Sequence, residues 1–163
     1  RVRDLCAFLG VDTVMTRDTE EITYPSEAKT IAAMKKWDTR RRVEIAESVD
    51  SPVFLSIHQN IYPSSGPRGS QVLYAQNEPS RALAELIQSR LTAALLPENR
   101  RVPVPAGKDI YIMSHVQCTA VLVECGFLSH PQELSLLQSA DYQKKIASVL
   151  TACYLQFTEK GVL

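Results

Sequence analysis

The segment FLSIHQN, residues 54–60, sets His58, one of only three histidines, directly after an apolar run. VLVECGF, residues 121–127, sets Glu124 inside another. A neutral imidazole can ligate zinc, and a carboxylate can ligate a metal or take a proton from metal-bound water. A carboxylate in so apolar a stretch is costly unless it is paired, solvated at a strand end or protonated, which makes Glu124 informative. Each residue also has a purely structural reading: His58 can cap a strand and bond nearby backbone, and Glu124 can accept the amides of a turn at 126–130. Catalytic zinc takes three protein ligands and keeps a position for water, more than this pair supplies. His115 precedes a strand and points to the opposite, amino-terminal edge. His130 lies on the same side as Glu124, in a turn before Pro131, as a surface turn residue or else a substrate contact or auxiliary ligand.

Other catalytic arrangements are poorly represented. No GxSxG elbow is present. Cys125 neighbours the acid, but alternation along a strand turns it away from any site that Glu124 faces. The glycine-proline-serine loop YPSSGPRGS (62–70) lacks the phosphate-binding GxxxxGK[ST] pattern, and no dinucleotide fingerprint occurs. Eighteen basic and eighteen acidic residues cancel, so no long-range field favours nucleic acid or an anionic membrane. The densest basic run, Arg40-Arg41-Arg42, is followed by Glu44 and Glu47 and reads as a solvated, salt-bridged helix face. None of the four cysteines forms a CxxC pair; Cys6, Cys125 and Cys153 sit in apolar contexts as free, buried thiols. No apolar run reaches membrane-spanning length. There is no signal peptide, but the chain begins with Arg1, so this says little about the full gene product.

The elements that must position His58 and Glu124 follow from periodicity. The 163 residues, 45% hydrophobic, suit one domain with a sizeable core. Residues 2–9 read as the end of a helix, closed by Gly10. VDTVMT (11–16) reads as a strand, and the polar segment after it as a surface loop. A helical pattern runs from Glu27 to about Val49, with Ser26 as candidate N-cap and a break expected near Trp37–Thr39. VFLSIH (53–58) and TAVLVECGF (119–127) are near-continuously apolar, as strands covered on both faces are; QVLYA is a third. Asn77-Glu78-Pro79-Ser80 opens a helix to about Leu95. The proline-rich stretch 97–109 cannot be regular helix, and IYIM (110–113) reads as strand-like. A short helix at 132–138 and a long one capped by Asp141 close the chain. This alternation predicts a single three-layer α/β domain over residues 1–163, with a mostly parallel sheet flanked by helices. Parallel neighbouring strands would then bring His58 and Glu124 to one sheet edge, where ligands gather in open α/β folds.

MTRD (15–18), the arginines at 40–42, FLSIHQN, GSQVLY (69–74), AVLVECGFLSHPQE (120–133) and LLQSADYQKKIASVLTACY (136–154) occur in an order that resembles the zinc-dependent N-acetylmuramoyl-L-alanine amidases, with a spore-cortex flavour. The likeness covers most of residues 11–158. It implies cleavage of the amide between N-acetylmuramic acid and the L-alanine of the peptidoglycan stem peptide. His58 matches the family's zinc histidine and Glu124 its catalytic glutamate. Asn60 matches an asparagine of the first motif and would shape the loop. His130 stands where the family commonly has asparagine. Zinc would hold and activate the water, and Glu124 would move the proton.

The resemblance also implies an N-terminal strand with a GHGG-like histidine and a helix with a glutamate ligand, neither of which these residues contain. A missing N-terminal piece is the preferred explanation and a degenerate amidase the other. Groove walls are expected from 62–70 and 19–38, with Arg68 a candidate for a stem-peptide carboxylate. The partners implied are the glycan and stem peptide, with no nucleic acid, no membrane-spanning segment and an unknown accessory protein. The location implied is the bacterial cell envelope or extracytoplasmic space, with the forespore envelope the narrower case. Competing readings are a non-catalytic murein-binding or regulatory protein and another zinc peptidase or amidase.

Overall fold

The central strand is Thr119–Phe127, and every residue of it is buried except Glu124. A computed structural model describes residues 1–159. In it the elements run α1 (Val2–Phe8), α2 (Ile31–Glu47), β1 (Val53–Asn60), β2 (Gln71–Tyr74), α3 (Glu78–Leu95), β3 (Val104–Pro105), α4 (Tyr111–His115), β4 (Thr119–Phe127), α5 (Pro131–Gln138) and α6 (Ala140–Glu159). The four strands form one sheet in the order β1-β4-β2-β3. β1 and β4 are parallel, as are β2 and β3, while β2 joins β4 antiparallel. Helices cover both faces, giving the three-layer α/β arrangement that the pattern predicts.

The two cores divide by strand alternation. Val121, Val123 and Cys125 of β4 and Val72 of β2 meet Leu83, Ile87 and Leu91 of α3, Leu137 of α5, and Ile146, Leu150, Cys153 and Phe157 of α6. Those α3 and α6 positions recur at helical spacing, so each helix presents one apolar stripe to the sheet. Ala120 and Leu122 point the other way, against Ala46 of α2 and Met113 of α4. This second cluster is smaller. The carboxyl end of β1 is left open, and His58 there reaches solvent.

Local signals explain most boundaries. Asn77 accepts the Ser80 amide at 2.9 Å and caps α3, with Pro79 in the first turn. Gly10, at φ +74°, closes α1. α2 is continuous through Trp37–Thr39 and starts later than expected: Thr30, not Ser26, accepts the Ala33 amide at 3.1 Å. All four cysteines are free, with Cys6, Cys125 and Cys153 buried.

Two strand expectations are corrected. Residues 11–16 form no strand; Val14 and Met15 are 62% and 48% exposed, and β-favouring residues make a strand only where another strand supplies the ladder. IYIM is not strand-like: Ile110 is the N-cap of α4 and Tyr111–Met113 lie within it. A four-residue apolar run cannot be told from a buried helical turn by periodicity. The Ser114 hydroxyl further holds the Tyr111 carbonyl at 3.0 Å. In the proline-rich connection, Val104–Pro105 forms β3, paired with Leu73 and Tyr74 at the sheet edge, where a proline costs no ladder bond.

Candidate active site

β1 and β4 pair in parallel with Val53 opposite Thr119, and the register carried forward puts His58 directly opposite Glu124. On the other side of β4, Gln71 of β2 pairs with Glu124. Residues opposite one another in a sheet project to the same face, so His58, Glu124 and Gln71 form a row across three strands. β1 runs slightly past its expected end at His58, to Asn60, while β4 spans the expected Thr119–Phe127.

A bulge follows this row at once. Between the pairs His58–Glu124 and Asn60–Phe127, β4 carries one more residue than β1. Cys125 remains in the helical core, and a Cβ on Gly126 would meet Glu133 and Leu137 on that same side. Phe127 is thereby returned to the Glu124 face, where the Arg101 guanidinium stands 4.7 Å over its ring. Bulges commonly re-aim side chains in this way beside active sites.

Glu124 does not cap the following turn. That task belongs to Glu133, whose carboxylate accepts the Gly69 and Phe127 amides, each at 2.8 Å. His130 is the N-cap of α5: its Nδ1 accepts the Glu133 amide at 3.4 Å. Glu124 is left with a buried Oε2 that has no hydrogen-bond partner among the described residues, and burial raises its pKa. His58 is exposed at the open edge of the sheet. Partial desolvation, and then the Arg42 charge, lower its pKa and favour the neutral imidazole that metals bind. Burial, with Glu124 adding to it, pushes the Cys125 thiol up to about 12, so it stays protonated and is a poor nucleophile.

The remaining predicted residues are placed as follows. Asn60 Oδ1 accepts the Ile61 amide at 2.8 Å, and its carbonyl accepts the Leu128 amide at 2.8 Å, which ties the end of β1 to the turn after β4. Arg68 is ion-paired with Glu98 at 3.3 Å on an exposed surface. His115 stacks on Tyr111 at 3.7 Å, at the start of the segment leading into β4. The arginine run divides: Arg41 pairs with Glu44 in solvent, whereas Arg42 turns inward, bonds Asp38 at 3.0 Å and acts on His58. Gln71, Arg101 and Phe127 are not marked by sequence pattern. Glu133 is, since it stands three residues after its helix cap, the spacing of a capping box.

A zinc centre needs three protein ligands with an open position. Among the described residues, no three His, Cys, Asp or Glu side chains come together to hold a metal. The orphaned Glu124 oxygen and the neutral His58 suit a metal-assisted hydrolase, but they do not by themselves make its ligand set.

Residues 1–153 match the N-acetylmuramoyl-L-alanine amidase family. A germination-specific N-acetylmuramoyl-L-alanine amidase of Bacillus subtilis is 36% identical over 166 residues, covering 99% of this chain and 68% of that protein. N-acetylmuramoyl-L-alanine amidase LytC of Bacillus subtilis is 35% identical over 117 residues, covering 70% of this chain but only 23% of LytC. Among solved structures, the CwlD amidase of Clostridioides difficile in complex with the GerS lipoprotein superposes with a TM-score of 0.89 at 29% identity, over 97% of this chain and 81% of that one.

Proposed function

The chain belongs to the N-acetylmuramoyl-L-alanine amidase family, and on that premise we propose that it hydrolyses the amide between N-acetylmuramic acid and L-alanine, with Glu124 as general base. The observation that carries this is the buried, unpartnered Glu124 oxygen in the row with His58. A carboxylate whose pKa is raised by burial has a conjugate acid closer to neutrality, which suits a group that must accept a proton and then return it. Glu124 takes a proton from the attacking water as its oxygen bonds to the lactyl carbonyl carbon. The C–N bond then breaks, and the proton passes to the departing alanine nitrogen. The products are a free lactyl carboxylate and a free α-amine.

The same proposal includes zinc dependence, with His58 as one neutral nitrogen ligand. A bound zinc ion would supply Lewis-acid polarisation of the scissile carbonyl. The full ligand set does not assemble among the described residues. By likeness to the germination-specific relative, the substrate is peptidoglycan of the cell envelope, with the spore cortex as the narrower case. By likeness to CwlD, an accessory lipoprotein is a candidate partner. Among the described residues, no helix is long and apolar enough to cross a membrane.

The test is mass spectrometry of N-acetylmuramoyl-L-alanyl peptides after incubation with the protein. Release of the peptide with a free alanine amine is expected. Cleavage only between amino acids would point to a peptidase. Binding without cleavage would point to a murein-binding protein.

A further inference from the structure

The sheet face that carries Glu124 also holds a charged group that hydrolysis leaves unused. The guanidinium of Arg101 is fixed by three contacts. Nη1 donates to Gln71 Oε1 at 3.0 Å, Nε donates to the Arg68 carbonyl at 3.1 Å, and Cζ stands 4.7 Å over the Phe127 ring. Gln71 is the register partner of Glu124, and Phe127 is the next residue of β4 on that face. The guanidinium therefore stands on the β2–β3 side of Glu124, held by Gln71 and Phe127, which flank the proposed base on its sheet face.

Among the described residues, Arg101 has no carboxylate within ion-pair distance, whereas Arg42 has Asp38 and Arg68 has Glu98. Nη2 of Arg101 has no protein acceptor among them either. No ion pair joins Arg101 to Glu124 among the described residues, and burial is what raises the Glu124 pKa. Beside it opens a cavity of about 320 Å³ lined by Arg68, Leu96, Glu98, Asn99, Arg100 and Arg101. Its one acid is already spent on Arg68, so the lining is net basic. A part-buried, pre-oriented guanidinium with free N–H groups is a receptor for a carboxylate.

We propose that Arg101 determines specificity by receiving a carboxylate on the peptide side of the scissile amide. The inference rests on the amidase reading. In such a substrate the lactyl carboxyl is consumed in the amide and the sugar hydroxyls are neutral, so the nearest negative charge belongs to the residue after L-alanine. With Arg101 on the β2–β3 side of Glu124 and His58 on the β1 side, the peptide runs toward β3 and the glycan lies across β1.

The experiment is calorimetry with two probes, N-acetylmuramoyl-L-alanyl-D-glutamate with its α-carboxylate free and the same molecule amidated there. Both are titrated into Glu124→Gln protein and into the same protein carrying Arg101→Met or Arg101→Lys. The free carboxylate is expected to bind about tenfold tighter or more. Arg101→Met should bring the two probes within about twofold of each other, and Arg101→Lys should restore part of the preference. If Arg101→Met does not fold, Arg101→Gln carries the same comparison. The proposal is overturned if the parent binds both probes alike or neither, or if removing Arg101 weakens both equally and preserves their ratio, as loss of a mere brace would. Cleavage by the unmodified protein is scored separately. Absent cleavage with an intact carboxylate preference would overturn the amidase reading and leave the Arg101 assignment standing.

Discussion

Glu133 accepts two backbone amides at 2.8 Å, whereas Glu124, on the strand leading to it, keeps a buried oxygen that bonds to nothing among the described residues. The two carboxylates divide structure from chemistry. Glu133 joins the loop before β2, the end of β4 and the first turn of α5, and it is only 7% exposed. Removing it strands two amide donors in the interior. Glu133→Ala is expected to cost roughly 2–4 kcal/mol, read as a lowered urea midpoint with an unchanged slope.

Gly69 supplies one of those amides from φ +92°, and a Cβ there would lie 2.6 Å from Asn99 Oδ1. A side chain at this position meets both an unfavourable backbone region and a clash with the group that anchors Ser70 at 2.8 Å. Gly69→Ala is expected to destabilise by about 1–3 kcal/mol. Gly66→Ala in the same loop, where a Cβ meets nothing within 4 Å, should change the thermal midpoint little. Equal effects at both positions would show that the loop is not held as described.

What sequence could carry was the long-range pattern. Near-continuous apolar runs marked β1 and β4, helical spacing marked α3 and α6, and the placing of an imidazole and a carboxylate near two strand ends predicted their meeting. The misplacements have local causes. Residues 11–16 have the composition of a strand but no neighbour to pair with, and residues 110–113 are too short to show a period. Gln71, Phe127 and Arg101 were illegible because their nearness to Glu124 depends on an antiparallel register, a bulge and a loop contact. Arg42 was assigned to a solvated face with Arg40 and Arg41, yet a single helical step turns it inward toward Asp38 and His58.

Burial raises the Glu124 pKa above its ordinary 4.5, which fixes a sign for stability. The folded state binds this proton more tightly than the unfolded chain does. Glu124 therefore costs nothing below pH 4.5 and lowers stability as pH rises from there through its raised folded value. Denaturation of wild-type and Glu124→Gln proteins at several pH values should show their stability difference shifting in favour of the glutamine variant across that window. A pH-independent difference would mean that Glu124 is well solvated.

His58 and Glu124 should separate in their effect on metal. In zinc-loaded protein, His58→Ala is expected to lower the bound zinc measured by elemental analysis, whereas Glu124→Gln should leave it near the wild-type level. Loss of zinc in both variants would make Glu124 a ligand rather than a base.

The most direct test is the initial rate at which wild-type and Glu124→Gln proteins release the alanine amine from an N-acetylmuramoyl-L-alanyl peptide, with thermal melts confirming that both are folded. A general base contributes on the order of 10²–10⁴ in rate, so the glutamine variant should lose at least about a hundredfold while remaining folded. A folded Glu124→Gln protein that cleaves the substrate at close to the wild-type rate would contradict the assignment of Glu124 as the group that takes the proton.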